Sequence, residues 1–207
     1  MNTSLPVLAL VAICLALPAA QAEQSANGTY PVIVDEDDAP EGPLVINNCE
    51  LKPGAACPGA DLRHADLRGV KLNGADLKGA DLRRVNFEMA ELKGADLTGA
   101  DLRGAKLTSA QLQGITLRDA DLTGANLDYS RLAGADLSGA NLTAASMEAS
   151  WAPKARFVGT QIISSNLMEA KFYNADFANA HMEGNTARYA VWEGVHMENC
   201  TGCPVDW

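Results

Sequence analysis

The chain has 207 residues, with 26 Asp and Glu against 16 Lys and Arg, for a formal net charge of −10 at pH 7. No basic patch marks it as a nucleic-acid binder. Apart from the amino-terminal stretch, no segment is apolar enough to span a bilayer.

The chain opens "MNTSLPVLALVAICLALPAAQAEQ". Leu5 to Leu17 is mostly apolar but short for a membrane span. Ala20-Gln21-Ala22 has the small-x-small form of a signal-peptidase site. Residues 1–22 are therefore expected to be a secretory signal cleaved after Ala22, and the protein to be periplasmic or secreted. One feature departs from the pattern: the stretch ahead of the apolar run has no Lys or Arg.

Residues 23–59 form an acidic leader and amino-terminal cap. They hold seven acids against Lys52 alone, a net charge of −6, so the remainder of the chain is nearly balanced at −4. The strongest run, "DEDDAPE" from Asp35 to Glu41, reads with Pro40, Gly42 and Pro43 as a solvated loop. "TYPVIV" before it and "PLVIN" after it are β-prone and suited to serve as a cap.

From Ala60 onward the sequence repeats every five residues, beginning "ADLRHADLRGVKLNGADLKGADL". Centres run from Leu62 to Met197 without a slip, 28 units in all, and 17 of them are Leu. All four phenylalanines stand at centres. Five residues advance a helix by about 500°, which scatters the leucines around it. In a straight strand an odd step sends successive leucines to opposite faces. The chain must instead turn once in every unit.

Two residues before the centre lies a small column, Ala in 19 of the 28 units, on the same face as the centre. The residue between them faces outward: Asp61, Asp66, Asp76, Asp81. Glycine ends 13 units, where a turn needs relaxed dihedrals. A chain that bends the same way repeatedly winds into a solenoid.

"ADLRG", "ADLKG", "ADLTG" and "ANLDY" resemble the pentapeptide-repeat family, written A(D/N)LXX. The resemblance covers residues 60–199. It implies an all-β fold, a right-handed four-sided parallel β-helix with four units per coil. Twenty-eight units would then make about seven coils, a rod about 34 Å long at the spacing of parallel strands. The pattern weakens after Ser146, and Pro153 must find a position without a ladder N–H.

Cys49 and Cys57 lie before the repeat, and Cys200 and Cys203 begin the carboxyl-terminal cap, 200–207. An even count in an exported chain points to disulfides, here one tying each end of a solenoid that needs caps. The competing readings are a metal site from His196, Cys200 and Cys203, and a redox C-x-x-C. His64, His181 and His196 have no nucleophile partner at a familiar spacing, and no catalytic motif is present. No enzyme and no cofactor are expected.

If four units make a coil, Asp61, Asp81, Asp101 and Asp121 stack on one side beside Arg63, Arg83 and Arg103, a solvated charge lattice. In the late coils Trp151, Tyr173 and Val191 stand outward on one side. They read either as a contact surface for an unknown protein partner or as residues covered by irregular coils. The functional expectation is an exported, non-enzymatic scaffold or protein-binding module. The alternative is inhibition of a DNA topoisomerase by DNA mimicry, which some cytoplasmic members of the resembled family perform. The export signal and the balanced rod charge argue against it.

Overall fold

The computed structural model describes residues 44–204. The expected signal segment 1–22, the stretches TYPVIV and DEDDAPE, and the last three residues lie outside the described residues.

Each unit closes on a hydrogen-bonded turn. Val85 N–H donates to the carbonyl of the centre Leu82 at 3.1 Å, and every unit but those centred on Ile162 and Met182 that has a described successor does the same in kind. The second turn residue has positive φ at every corner, from His64 at 59° to Asn199 at 54°. A positive φ at that place is the mark of a type II turn and explains the recurrent glycine. Four turns bring the chain back beneath itself. Parallel bridges join residues 20 apart throughout, beginning at Ala56↔Asp76, so the ladder starts one unit before Ala60.

The four sides can be traced by their outward files. Side 1 runs Asp61, Asp81, Asp101, Asp121, Asn141, Gln161, His181, Thr201. Side 2 starts at Asp66 and ends at Thr186, side 3 runs from Lys71 to Val191, and side 4 from Ala56 to His196.

Backbone donors are accounted for unit by unit, as a buried ladder requires. In the unit of Leu102, Asp101 N–H donates to Ala80 O, Leu102 N–H to Asp121 O, and Gly104 N–H to Thr123 O. The first turn residue has no carbonyl above or below it. Where the outward residue two back is Asp or Asn, the turn residue's N–H donates to that side chain, as Arg103 does to Asp101 Oδ1 at 3.2 Å and Thr143 to Asn141 Oδ1 at 3.0 Å. The outward Asp or Asn thus has a backbone task as well as a charge. Pro153 stands at a first-turn position, where its missing N–H costs the ladder nothing.

Both inward columns are buried from Leu62 to Met182, apart from the half-buried Val70. Late in the rod the core becomes aromatic. Phe157 stacks on Phe177 with ring centroids 4.5 Å apart, and Phe172 stacks on Trp192 at 4.7 Å. Two units depart from the regular turn. After Ile162 the turn bond is replaced by Asn185, whose amide donates to Ile162 O at 2.7 Å and accepts from Ser165 N–H at 2.8 Å. Extended pieces result, β3 (Gln161–Ile163) and β4 (His181–Glu183), which pair in parallel.

The first coil is covered by a hairpin of β1 (Val45–Ile46) and β2 (Cys49–Glu50), paired antiparallel. Asn47 and Asn48 form its turn at φ 47° and 64°, the signature of a two-residue I′ hairpin. Cys49 and Cys57 stand at disulfide distance, Cα to Cα 5.6 Å. At the other end Cys200 and Cys203 stand 5.8 Å apart, and Cys203 Sγ reaches Met182 Sδ at 3.3 Å. Among the described residues no helix is long and apolar enough to cross a membrane.

Candidate functional site

Sides 1 and 4 carry interleaved charges. Arg63 binds Asp61 at 2.6 Å and lies 3.5 Å from Asp81; Arg83 and Arg103 repeat the pattern down to Asp121. The hydrogen bond from Arg63 outweighs burial and brings Asp61 down to about 2. On side 4, Lys78 lies between Asp76 and Asp96, and Arg118 and Arg156 share Asp136. A cleft of about 390 Å³ is lined by Arg63, His64, Arg83, Arg84 and Arg103. Three of those guanidiniums are already satisfied by aspartates, so the cleft is close to neutral rather than an open anion site.

Side 3 is built differently. Its outward file reads Lys71, Glu91, Gln111, Arg131, Trp151, Lys171 and Val191. No Asp or Asn occurs among the seven, whereas every other side has at least four. The residue best suited to the backbone task has been given up along the whole side. At Trp151 the indole cannot accept that N–H, and Pro153 removes the donor. The pair leaves no backbone donor stranded while an aromatic ring takes the outward position.

The corner leading into side 3 is also distinct. Its seven positive-φ residues are Gly69, Met89, Ser109, Tyr129, Ala149, Glu169 and Tyr189, a single glycine. The corner leading out of side 3 has five, from Gly74 to Gly194. Bulky residues in the left-handed region carry strain that glycine does not. Yet Met89, Tyr129 and Tyr189 occupy it at 63%, 59% and 79% exposure. Strain of this kind, kept at exposed sites where the fold has no need of it, points to function.

The structure brings Trp151 and Tyr173 together, with ring centroids 5.6 Å apart. Trp151 is exposed, Tyr173 and Val191 are half-buried, and Lys171 separates Trp151 from Val191 in the file. A cleft of about 450 Å³ lies beside them, lined by Gln113, Tyr129, Arg131, Ala133, Ala149 and Trp151. Met89, Tyr129 and Tyr189 escape a reading confined to outward strand positions. Their signal is in the sequence all the same: their numbers differ by multiples of 20.

Side 3 and its outgoing corner hold Lys71, Lys93, Arg131, Lys154 and Lys171 against Glu91 and Glu193. It is the positive side of an acidic protein. None of these five bases has an acidic partner among the described residues, in contrast to the paired arginines of side 1.

The residues considered for a metal are not gathered as one. His196 Nδ1 meets Asp176 at 2.9 Å, and Cys200 and Cys203 face each other. Among the described residues no three His, Cys, Asp or Glu side chains are grouped to hold an ion.

Residues 60–99, 86–124, 120–157 and 140–184 match the family described as pentapeptide repeats, in eight copies. No curated protein matches the chain. HetL, a pentapeptide repeat protein involved in heterocyst differentiation regulation from the cyanobacterium Nostoc sp. strain PCC 7120, is 27% identical over 70% of this chain and 84% of its own, with a TM-score of 0.36. A pentapeptide repeat protein of the Arabidopsis thaliana thylakoid lumen is 30% identical over 52% of this chain and 68% of its own, TM-score 0.39. QnrB1, a plasmid-mediated fluoroquinolone resistance protein, is 21% identical over 70% and 78%, TM-score 0.49.

Proposed function

The chain belongs to the pentapeptide-repeat family, whose repeats imply a right-handed quadrilateral β-helix, and from that premise we propose that it is an exported, non-enzymatic rod of about seven coils that binds a protein partner along side 3. The observation that carries this reading is the coincidence of features on one side. The Asp/Asn file is missing there, the corner has a single glycine that leaves room for the exposed Tyr129 and Tyr189, and Trp151 and Tyr173 are in ring contact. Aromatic residues dominate binding energy when they become buried.

Export rests on the apolar segment ending at Ala22 and on cysteine pairs suited to an oxidising compartment. In this reading both pairs are oxidised and hold the ends of the rod. The DNA-mimic reading has less support. It needs a continuous acidic file, and the aspartates of side 1 are neutralised one by one by Arg63, Arg83 and Arg103.

The test is capture from the envelope fraction by the exported, oxidised protein. Trp151→Ala combined with Tyr173→Ala should abolish capture, mainly through faster dissociation, while the melting transition stays nearly unchanged. Capture by the still-folded double variant, undiminished, would discard side 3 as the binding face.

A further inference from the structure

We propose that side 3 is also the docking surface of the chain's own acidic segment, residues 30–38. This rests on the reading of side 3 as a contact surface.

Three observations converge on that occupant. The first is charge. Five bases of side 3 have no acidic partner among the described residues, and the leader supplies Asp35, Glu36, Asp37 and Asp38 in a row. The second is position. Leu44, the first described residue, accepts a hydrogen bond from Leu51 N–H at 2.8 Å. The next unit stacks on side 3, since Gly54 N–H donates to Asn73 O at 2.9 Å. The leader therefore joins the rod at the head of the side it would cover.

The third is order. From Leu44 backward the sequence gives first the four acids, then Val34, Ile33, Val32, Pro31 and Tyr30. From the head of the rod, side 3 gives first Lys71, Lys93 and Arg131, then Trp151, Tyr173 and Val191 with Lys154 and Lys171 among them. Acid meets base and apolar meets aromatic in the same sequence. Reach is sufficient. Asp35 lies nine residues from Leu44 and so within about 30 Å of it, while Arg131 is four coils down, about 19 Å. Tyr30 has a reach of about 46 Å, against about 24 Å to the coil of Trp151. A tether this short sets an effective concentration on the order of 1 mM, so even an intrinsic Kd of about 0.1 mM would give roughly 90% occupancy.

Carbodiimide coupling of carboxylates to lysines in the whole exported chain tests this directly. Of the seven lysines, Lys71, Lys93, Lys154 and Lys171 belong to side 3, Lys78 to side 4 and Lys106 to side 2. Peptide mapping should show Asp35–Asp38 linked to Lys71 or Lys93 about tenfold more often than to Lys78 or Lys106, the ratio expected from that occupancy. The Lys78–Asp96 pair, 3.2 Å apart, is the internal positive control. Control links without leader links, or leader links spread evenly over the sides, would overturn the proposal. Mixing isotope-labelled and unlabelled chains separates the sources. Hybrid links would assign the face to a second copy's leader and overturn docking within one chain. Replacing Val32, Ile33 and Val34 with Ser should cut the side-3 links several-fold, and unchanged links would refute the apolar half of the match. Loss of these links with capture still dependent on Trp151 overturns this proposal alone. Links present with capture indifferent to Trp151 and Tyr173 overturn the functional reading alone.

Discussion

Leu102 has none of its surface exposed, whereas the next residue, Arg103, has half its side chain in solvent and two aspartates beside it. Leu102→Ala should cost about 2–5 kcal/mol through the cavity it leaves. Arg103→Ala should cost well under about 1 kcal/mol, since exposed ion pairs contribute little. Denaturant melts of the two variants measure the difference, and equal losses would contradict the inside–outside assignment. At this scale the core of the regular coils was legible, because a five-residue period fixes which residues share a face, whereas the buried Cys49, Leu51 and Ala55 ahead of the repeat were not. The backbone task of Asp101 was not. A carboxylate beside an arginine reads as a charge pair, and only the turn geometry reveals the N–H it accepts. Tyr129 carries the sharper prediction. At φ 59° its replacement by glycine relieves backbone strain, and Tyr129→Gly should gain about 0.5–1 kcal/mol of stability. The same variant should bind partner more weakly. A variant that is neither more stable nor weaker in capture would remove Tyr129 from the site.

Among elements, the ends differ most from the middle. The last coils hold His196 between Asp176 at 2.9 Å and Glu198 at 3.5 Å. The hydrogen bond that His196 donates to Asp176 raises His196 above its ordinary value of 6.5. Burial pushes Asp176 upward, but the Ala178 N–H and His196 together outweigh it, and the carboxyl ends below its ordinary 3.8. The signs give two windows. A group whose value is raised on folding stabilises fully below 6.5 and loses that contribution as pH climbs through its folded value. A lowered carboxyl stabilises above 3.8 and loses its contribution as pH falls through its folded value, near 2 at Asp61. Amide exchange at Thr201 and Val191 should therefore quicken modestly as pH climbs above 6.5, after correction for intrinsic rates. In His196→Gln that step should be absent; its persistence would place the switch elsewhere. The sequence displayed the cysteine pairs and the β-prone PLVIN segment, but not the Asn185 plug, since an amide in an inward column looks like a defect until its two backbone partners are known.

For the whole molecule, what distinguishes one side from another is invisible at period five and appears only at period twenty. Trp151, Tyr173 and Val191 could be aligned once four units per coil were taken from the family resemblance. Met89, Tyr129 and Tyr189 needed the corners as well. Identical coils also mean that the core and the surface obey different arithmetic. The core asks only that a segment be a multiple of five, while each face asks for a multiple of twenty. Removal of residues 136–140, one whole unit, leaves every inward column in phase yet turns all later coils by a quarter, so that Trp151 no longer lies under Arg131. Removal of residues 101–120 shortens the rod by one rung and leaves each face in line. Both variants should melt cooperatively with β-rich circular dichroism, and only the second should keep its partner. A gene of this kind thus has a second reading frame, written in units rather than nucleotides. Shifting it rewrites which residues are neighbours on the outside and leaves the inside unchanged.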